Sequence, residues 1–229
     1  MHTFVIAELG LSHEGSRDRW RRLIEVAQTA GADAIKGQWW SSAEAMAKHR
    51  GGNLELWQRY GMPLDWLEDI PADKRMCTVF MAQDIDAIQD QVIRYKIGSW
   101  ESVRGQLLEE YSEPSRRLQK LVIVSTGGWT DRLFSYRGVY QHLHCISEYP
   151  TRSDHLRLGT IRKFGLDGLS DHSGMIETGR AAVFAGARII EAHLRLYETD
   201  IHHPDYSVSL SPDDFHLYVH DIREAETWM

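Results

Sequence analysis

The sequence predicts a (β/α)8 TIM barrel, read as a single domain over residues 1–229, and three observations lead there. Eight short apolar runs recur along the chain, most about five residues long, as expected of strands covered on both faces. Amphipathic segments with helical periodicity alternate with them. Polar and ionisable residues gather at the C-terminal ends of the runs, which is where this architecture carries its chemistry.

The elements follow in order. The first run is Phe4–Glu8, and the helix Asp18–Ala30 succeeds it. In Ala30-Gly31-Ala32-Asp33-Ala34 a helix ends and the second run, Ala34–Gln38, begins; glycine there permits a left-handed turn back onto the sheet. The stretch Ser42–Ile70 is long and aromatic, with Trp57, Tyr60 and Trp66, and reads as two short helices over the barrel mouth. Met76–Phe80 is the third run, Ile85–Val92 the next helix, and Arg94–Gly98 the fourth run. After the fifth run, Leu121–Ser125, the segment from Gly127 to Val139 is short for a full helix and carries Gly127-Gly128, Arg132 and Arg137. A shortened helix would leave an apolar flank for a second subunit to cover, so a homo-oligomer is expected. Gln141–Cys145, helix Leu156–Phe164, Asp167–Ser170, helix Glu177–Ala185 and Arg188–His193 complete the alternation, with Ala185-Gly186-Ala187 repeating the glycine turn. Ser211-Pro212 supplies an N-cap and a first-turn proline for a final helix.

Composition narrows the function classes. Hydrophobic residues make up 42% and charged residues 26%, the mix of a soluble globule. With 26 basic against 33 acidic residues the net charge is −7, so no nucleic-acid footprint is present. Local lysines can still define an anion pocket. Cys77 and Cys145 sit within apolar runs and read as small buried hydrophobes, with no disulfide framework, in keeping with a reducing compartment. Glu8 and His13 interrupt any leader-like apolar stretch, and no segment approaches the roughly 20 apolar residues a membrane helix needs. A soluble, cytoplasmic protein is expected.

Reading the strand ends gives the candidate site: Glu8, Lys36 and Gln38, Thr78, Lys96, Ser99 and Glu101, Ser125 and Thr126, Ser147 and Tyr149, then Ser170, Asp171, His172 and His193. Strand alternation puts Lys36 with Gln38 on one face and Ser170 with His172 on another. His172 and His193 end consecutive runs, about 5 Å apart if the strands pair, a spacing at which two imidazoles can share a divalent ion. His142 with His144, and His202 with His203, are competing pairs. Lys36 and Lys96, with hydroxyls such as Ser99 and Ser170, suit the phosphate and carboxylate of one small anion. Glu8 and Glu101 could handle hydroxyls and protons of a neutral partner. Two cations, two imidazoles and two carboxylates suggest carbon–carbon bond formation with an anionic three-carbon donor; on chemistry alone an aldolase or a sugar isomerase stays open.

The motifs are more specific. Ile6-Ala7-Glu8-Leu9-Gly10 followed by Ser12-His13-Glu14-Gly15 resembles the opening signature of sialic acid synthases. Ala30 to Lys36 with Gln38, Tyr95-Lys96-Ile97-Gly98-Ser99 with Glu101, and Ser125-Thr126-Gly127 resemble that family's second, fourth and fifth strands. Leu143-His144-Cys145 with Tyr149-Pro150-Thr151, Gly168 to Ser173, and Ile189 to His193 resemble the last three, and Pro204-Asp205 and Ser211-Pro212 close the series in family order. The resemblance implies condensation of phosphoenolpyruvate with a sugar-like aldehyde to give a 2-keto-3-deoxy acid, aided by a divalent metal, typically manganese (Mn2+). His172 and His193 would bind the metal, and Lys36, Thr78, Lys96, Ser99 and Ser170 the phosphoenolpyruvate. Glu8, Gln38, Glu101, Tyr149 and Asp205 would face the acceptor or move protons, with Glu101 the expected proton-transfer group; Ser125, Ser147 and Asp171 complete the candidate substrate-binding set. Ser12 and Ser147 stand where the family commonly has asparagine. The 229 residues correspond to the family's barrel without its C-terminal antifreeze-like domain, which in the family supplies an arginine to the partner subunit's acceptor site. A working synthase with an altered acceptor, and a non-catalytic sugar- or partner-binding barrel, are the two readings this leaves.

Overall fold

A computed structural model of the protein describes residues 2–104, 110–111, 118–127 and 140–229. Eight parallel strands pair in sequence order and close on themselves through β1 and β8: β1 (Phe4–Gly10), β2 (Ala34–Trp39), β3 (Arg75–Val79), β4 (Arg94–Ile97), β5 (Val122–Ser125), β6 (Tyr140–Cys145), β7 (Gly168–Asp171) and β8 (Ile189–Leu194). All eight expected runs are strands, with ends within one or two residues of expectation. A two-residue β9 (Ser209–Leu210), absent from the sequence reading, adds to β8. Most of the segment that looked too short for a full helix, residues 128–139 with Arg132 and Arg137, lies outside the described residues.

Period-two alternation splits the apolar residues into two layers. Ile6, Ala34, Met76, Ile123, Leu143 and Ile189 meet in one cluster inside the barrel. Val5, Ala7, Leu9, Ile35, Cys77 and Ile190 belong to a second, larger cluster that includes the helical residues Trp20, Leu23, Phe215 and Tyr218. Both cysteines are buried and unpaired.

The helices obey their local signals. Ser16 accepts from the Arg19 N–H to start α1 (Arg17–Thr29). Gly31, at φ +83°, and Gly186, at φ +102°, take the left-handed turns expected of them. Ala32 N–H then reaches back to the Ala27 carbonyl and Ala187 N–H to that of Ala182, satisfying carbonyls at the helix ends. Over the mouth lie α2 (Ala43–Arg50) and α3 (Leu54–Arg59), as expected from the aromatic stretch. The helix expected over Ile85–Val92 shortens to α4 (Ile85–Ile88), because Ile93 N–H is already committed to the Arg75 carbonyl at the entrance to β4. α5 (Ser99–Arg104) follows β4. The helix expected from Leu156 starts later, as α6 (Gly159–Phe164), and the Leu156 carbonyl is hydrogen-bonded to His144. α7 (Glu177–Phe184) and α8 (Pro212–Glu226, capped by Ser211) pack on each other. No described helix is long and apolar enough to cross a membrane.

Candidate active site

The C-terminal ends of the strands open into a cavity of about 560 Å³, a size that suits small ligands. Thirteen of the sixteen candidate residues line it: Glu8, Lys36, Gln38, Thr78, Lys96, Ser99, Ser125, Ser147, Tyr149, Ser170, His172, His193 and Asp205; Thr126 instead donates to the Leu143 carbonyl at 2.9 Å. A second depression, of about 740 Å³, lies at the opposite end against Arg75, Ile93 and Lys120, where a barrel carries stability rather than chemistry.

Lys36 and Lys96 are 2% and 3% exposed, so the lysines are not solvated surface charges. Lys36 Nζ is ion-paired with Glu8, donates to Thr78 Oγ1 at 2.9 Å and lies 3.7 Å from Glu191 Oε2. Lys96 Nζ donates to Ser125 Oγ at 2.8 Å and lies 3.4 Å from Glu191 Oε1, which also accepts from Ser170 Oγ at 3.0 Å. Two acids therefore balance two lysines in a water-poor interior. Burial by itself would raise the Glu191 pKa, but Lys36, Lys96 and His193 hold it down at about 2. For Glu8 burial prevails over Lys36, and with the nearby Glu191 charge it leaves the carboxyl above its ordinary range. Lys36 is raised, the two carboxylates outweighing its desolvation.

Glu191 did not figure among the expected site residues. It lies two positions before His193, on the same strand face, so alternation along β8 carried the signal. Asp171 is the reverse case. It alternates with Ser170 and His172, and so turns away from the cavity; its carboxylate accepts from the Ser173 N–H at 2.9 Å and from Tyr218 OH at 2.9 Å. It ties β7 to α8 and is not a substrate contact. Glu101 also stands back from the cavity lining. Its two oxygens meet Arg50 Nε at 2.8 Å and Nη2 at 3.0 Å, with His49 Nε2 3.4 Å away.

His172 and His193 come together with ring centroids 5.5 Å apart. His172 Nδ1 lies 3.0 Å from the Ile146 carbonyl, which orients the ring and presents Nε2 to the cavity, 3.0 Å from Tyr149 OH. Burial works against charge on His172, yet negative charge on the neighbouring Cys145 sulfur, with the Ile146 carbonyl, draws its pKa up to about 9, so a cation at Nε2 would displace a proton. Burial and the His172 charge lower His193 to about 4 against the pull of Asp205, which keeps that imidazole neutral and fit to ligate. Among the described residues no group of three or more His, Cys, Asp or Glu side chains converges as a ligand cage. The donor set fits an open two-histidine site completed by water and substrate oxygens. The competing pairs are placed elsewhere: His144 bonds the Leu156 carbonyl, and His203 bonds the Leu11 carbonyl and accepts from the Asp205 N–H.

Ser99 Oγ donates to Cys145 Sγ at 3.1 Å and accepts from Gly127 N–H at 3.2 Å. A Cβ on residue 127 would sit 2.7 Å from Ser99 Oγ, so the backbone approaches the cavity wall as only glycine can.

Fold and site together define a TIM barrel with its ionisable groups gathered at the strand C-termini. Residues 23–229 match the NeuB family, and the chain belongs to that family, as its motifs suggested. It is 31% identical to pseudaminic acid synthase of Campylobacter jejuni over 98% of this chain and 74% of that protein. It is 26% identical to N,N'-diacetyllegionaminic acid synthase of the same species over 99% of this chain and 77% of the relative. Among solved structures it is similar to N-acetylneuraminic acid (sialic acid) synthetase from Leptospira borgpetersenii, with a TM-score of 0.85, 25% identity, and coverage of 100% of this chain and 85% of that one.

Proposed function

We propose that this barrel condenses phosphoenolpyruvate with a sugar-like aldehyde in the cytoplasm, forming a 2-keto-3-deoxy acid and releasing phosphate. The observation that carries the reading is the single cavity in which two buried lysines, ringed by hydroxyls, face a pair of imidazoles in a chain of this family. Lys36 and Lys96, with Thr78, Ser99, Ser125 and Ser170, would hold the phosphate and carboxylate of the donor. C3 of the donor would bond to the aldehyde carbon, water would add at C2, and the C2–O bond to phosphate would break. His172 and His193 are the residues that would hold a divalent ion, manganese by family analogy, and the ion would polarise the acceptor carbonyl.

The proton-transfer role moves from Glu101 to Glu8. Both Glu101 oxygens are engaged by Arg50, which favours a fixed carboxylate over a group that gains and loses protons. Glu8 has the raised affinity for a proton, and drawing Lys36 toward an anionic donor would raise it further. Gln38, which donates to Glu8 Oε1 at 2.7 Å, would orient it. The test is phosphate release from phosphoenolpyruvate with manganese and a panel of aldoses. Aldose-dependent release is expected; none with any aldose would overturn the reading in favour of a non-catalytic sugar- or partner-binding barrel.

A further inference from the structure

We propose that Arg50 is a specificity residue for the acceptor, donating a hydrogen bond to a neutral oxygen, such as the carbonyl of an acylamino group, on an unphosphorylated sugar. The inference rests on the reading above that this cavity receives a sugar aldehyde. It adds which residue of this chain recognises that sugar and what charge the sugar carries.

Arg50 ends α2, the helix over the mouth, and lines the cavity. Its guanidinium is fixed on two sides. Nη2 donates to Glu101 Oε2 at 3.0 Å and Nε lies 2.8 Å from Oε1 as an ion contact, against a carboxylate whose side chain is 1% exposed. The guanidinium carbon lies 4.9 Å from the Phe80 ring centroid and 5.8 Å from that of Trp100. Among the described residues the guanidinium makes one hydrogen bond, from Nη2, so the two N–H groups of Nη1 remain for a ligand.

Charge decides what that ligand is. Paired with Glu101, Arg50 contributes no net charge to its end of the cavity. A phosphate at Nη1 would meet the Glu101 carboxylate close behind the guanidinium and would lose its hydration without an uncompensated cation in return. A carbonyl or hydroxyl oxygen carries no such penalty and satisfies the donor. The surrounding wall of Met46, Trp57, Phe80 and Trp100 is apolar, suited to an acyl methyl or to the C–H face of a sugar ring. The other cations of the cavity are the lysines on β2 and β4, which share Glu8 and Glu191 between them, and those belong to the donor.

Direct binding separates this from the proposed reaction. The intact chain is titrated calorimetrically with an N-acetylhexosamine, the same sugar with a free amine, and its 6-phosphate. Binding of the acetylated neutral sugar is expected to exceed that of the other two by about tenfold, the worth of one well-placed hydrogen bond. Arg50→Met should weaken it by about tenfold and leave phosphoenolpyruvate affinity unchanged. Because Arg50→Met strands the Glu101 charge, Arg50→Lys, which retains a cation but loses the planar fork, and Trp100→Leu, at a residue 43% exposed, serve as folded controls; both should also weaken the sugar. Equal or tighter binding of the 6-phosphate, undiminished sugar affinity in folded Arg50→Lys, or no sugar binding at all would overturn the proposal. A chain that binds the acetylated sugar as expected but releases no phosphate would sink the proposed reaction and leave the Arg50 assignment standing. Turnover preferring a phosphorylated aldose would do the opposite.

Discussion

Lys96 faces Glu191 across the barrel interior, ammonium to carboxylate at 3.4 Å, so a cation on β4 is balanced by an acid on β8. The same acid lies 3.7 Å from Lys36. Before any anion arrives, then, the donor lysines are already neutralised, and a bound anion must compete with Glu191 for them. Glu191→Gln should expose that competition. Leaving two buried lysines with one acid is expected to destabilise the protein by about 3 kcal/mol. Phosphoenolpyruvate or inorganic phosphate should then raise its Tm more than it raises that of the wild type. Equal stability and an equal anion response in the two proteins would refute the balance.

Lys96→Met tests the donor site from the other side. Thr78 and Lys36 are untouched by it, and the removed ammonium is replaced by a chain of similar volume, so the barrel should remain folded. Phosphoenolpyruvate affinity is expected to fall by about 2 kcal/mol or more, roughly thirtyfold, for the loss of a charged partner. A folded variant with undiminished affinity would remove Lys96 from the donor site.

How far the site could be read in advance follows from which features are local. The strands were legible because their apolar runs are continuous and end in polar groups, and the same ends located Lys36, Lys96, His172 and His193 in the cavity. Alternation, applied only in part, explains both errors along the strands. It puts Glu191 inside with His193, and it puts Asp171 outside between Ser170 and His172. Arg50 is different in kind. Nothing local marks it, since its partner Glu101 is 51 residues away and the two meet only because α2 folds over the mouth. Helix lengths failed for a similar reason: the backbone groups near Ile93 and Leu156 are claimed by distant partners.

The imidazole pair gives a prediction about metal. An open two-histidine site should hold its ion less tightly than a closed four-ligand one. A chelator is therefore expected to abolish phosphate release, and added manganese to restore it. His193→Ala should remove the manganese signal measured by electron paramagnetic resonance as well as the activity, while circular dichroism stays that of a folded barrel. Full activity after chelation, or in the His193→Ala protein, would rule out the metal role.

His13 gives a prediction about acid stability that is independent of turnover. The ring is fully buried, edge-on to Trp20 at 5.9 Å and to Trp66 at 5.5 Å, and its Nδ1 accepts the Gly15 N–H at 3.0 Å. Burial, helped by His203 and Arg19, lowers its pKa from the ordinary 6.5 to about 4. The folded pKa lies below the unfolded one, so between these values the unfolded chain binds more protons. The stability is present above pH 6.5 and is lost as pH falls toward 4. At about pH 5 the loss from His13 alone amounts to roughly 2 kcal/mol. His193, also lowered to about 4, acts in the same direction and the same window. Urea unfolding at pH 7 and pH 5 should therefore show a marked drop in stability for the wild type. His13→Phe keeps a ring between the two tryptophans and removes the proton site, so its drop should be smaller by about 2 kcal/mol whatever its stability at pH 7. An equal drop in both proteins would show that His13 is not held neutral by the fold.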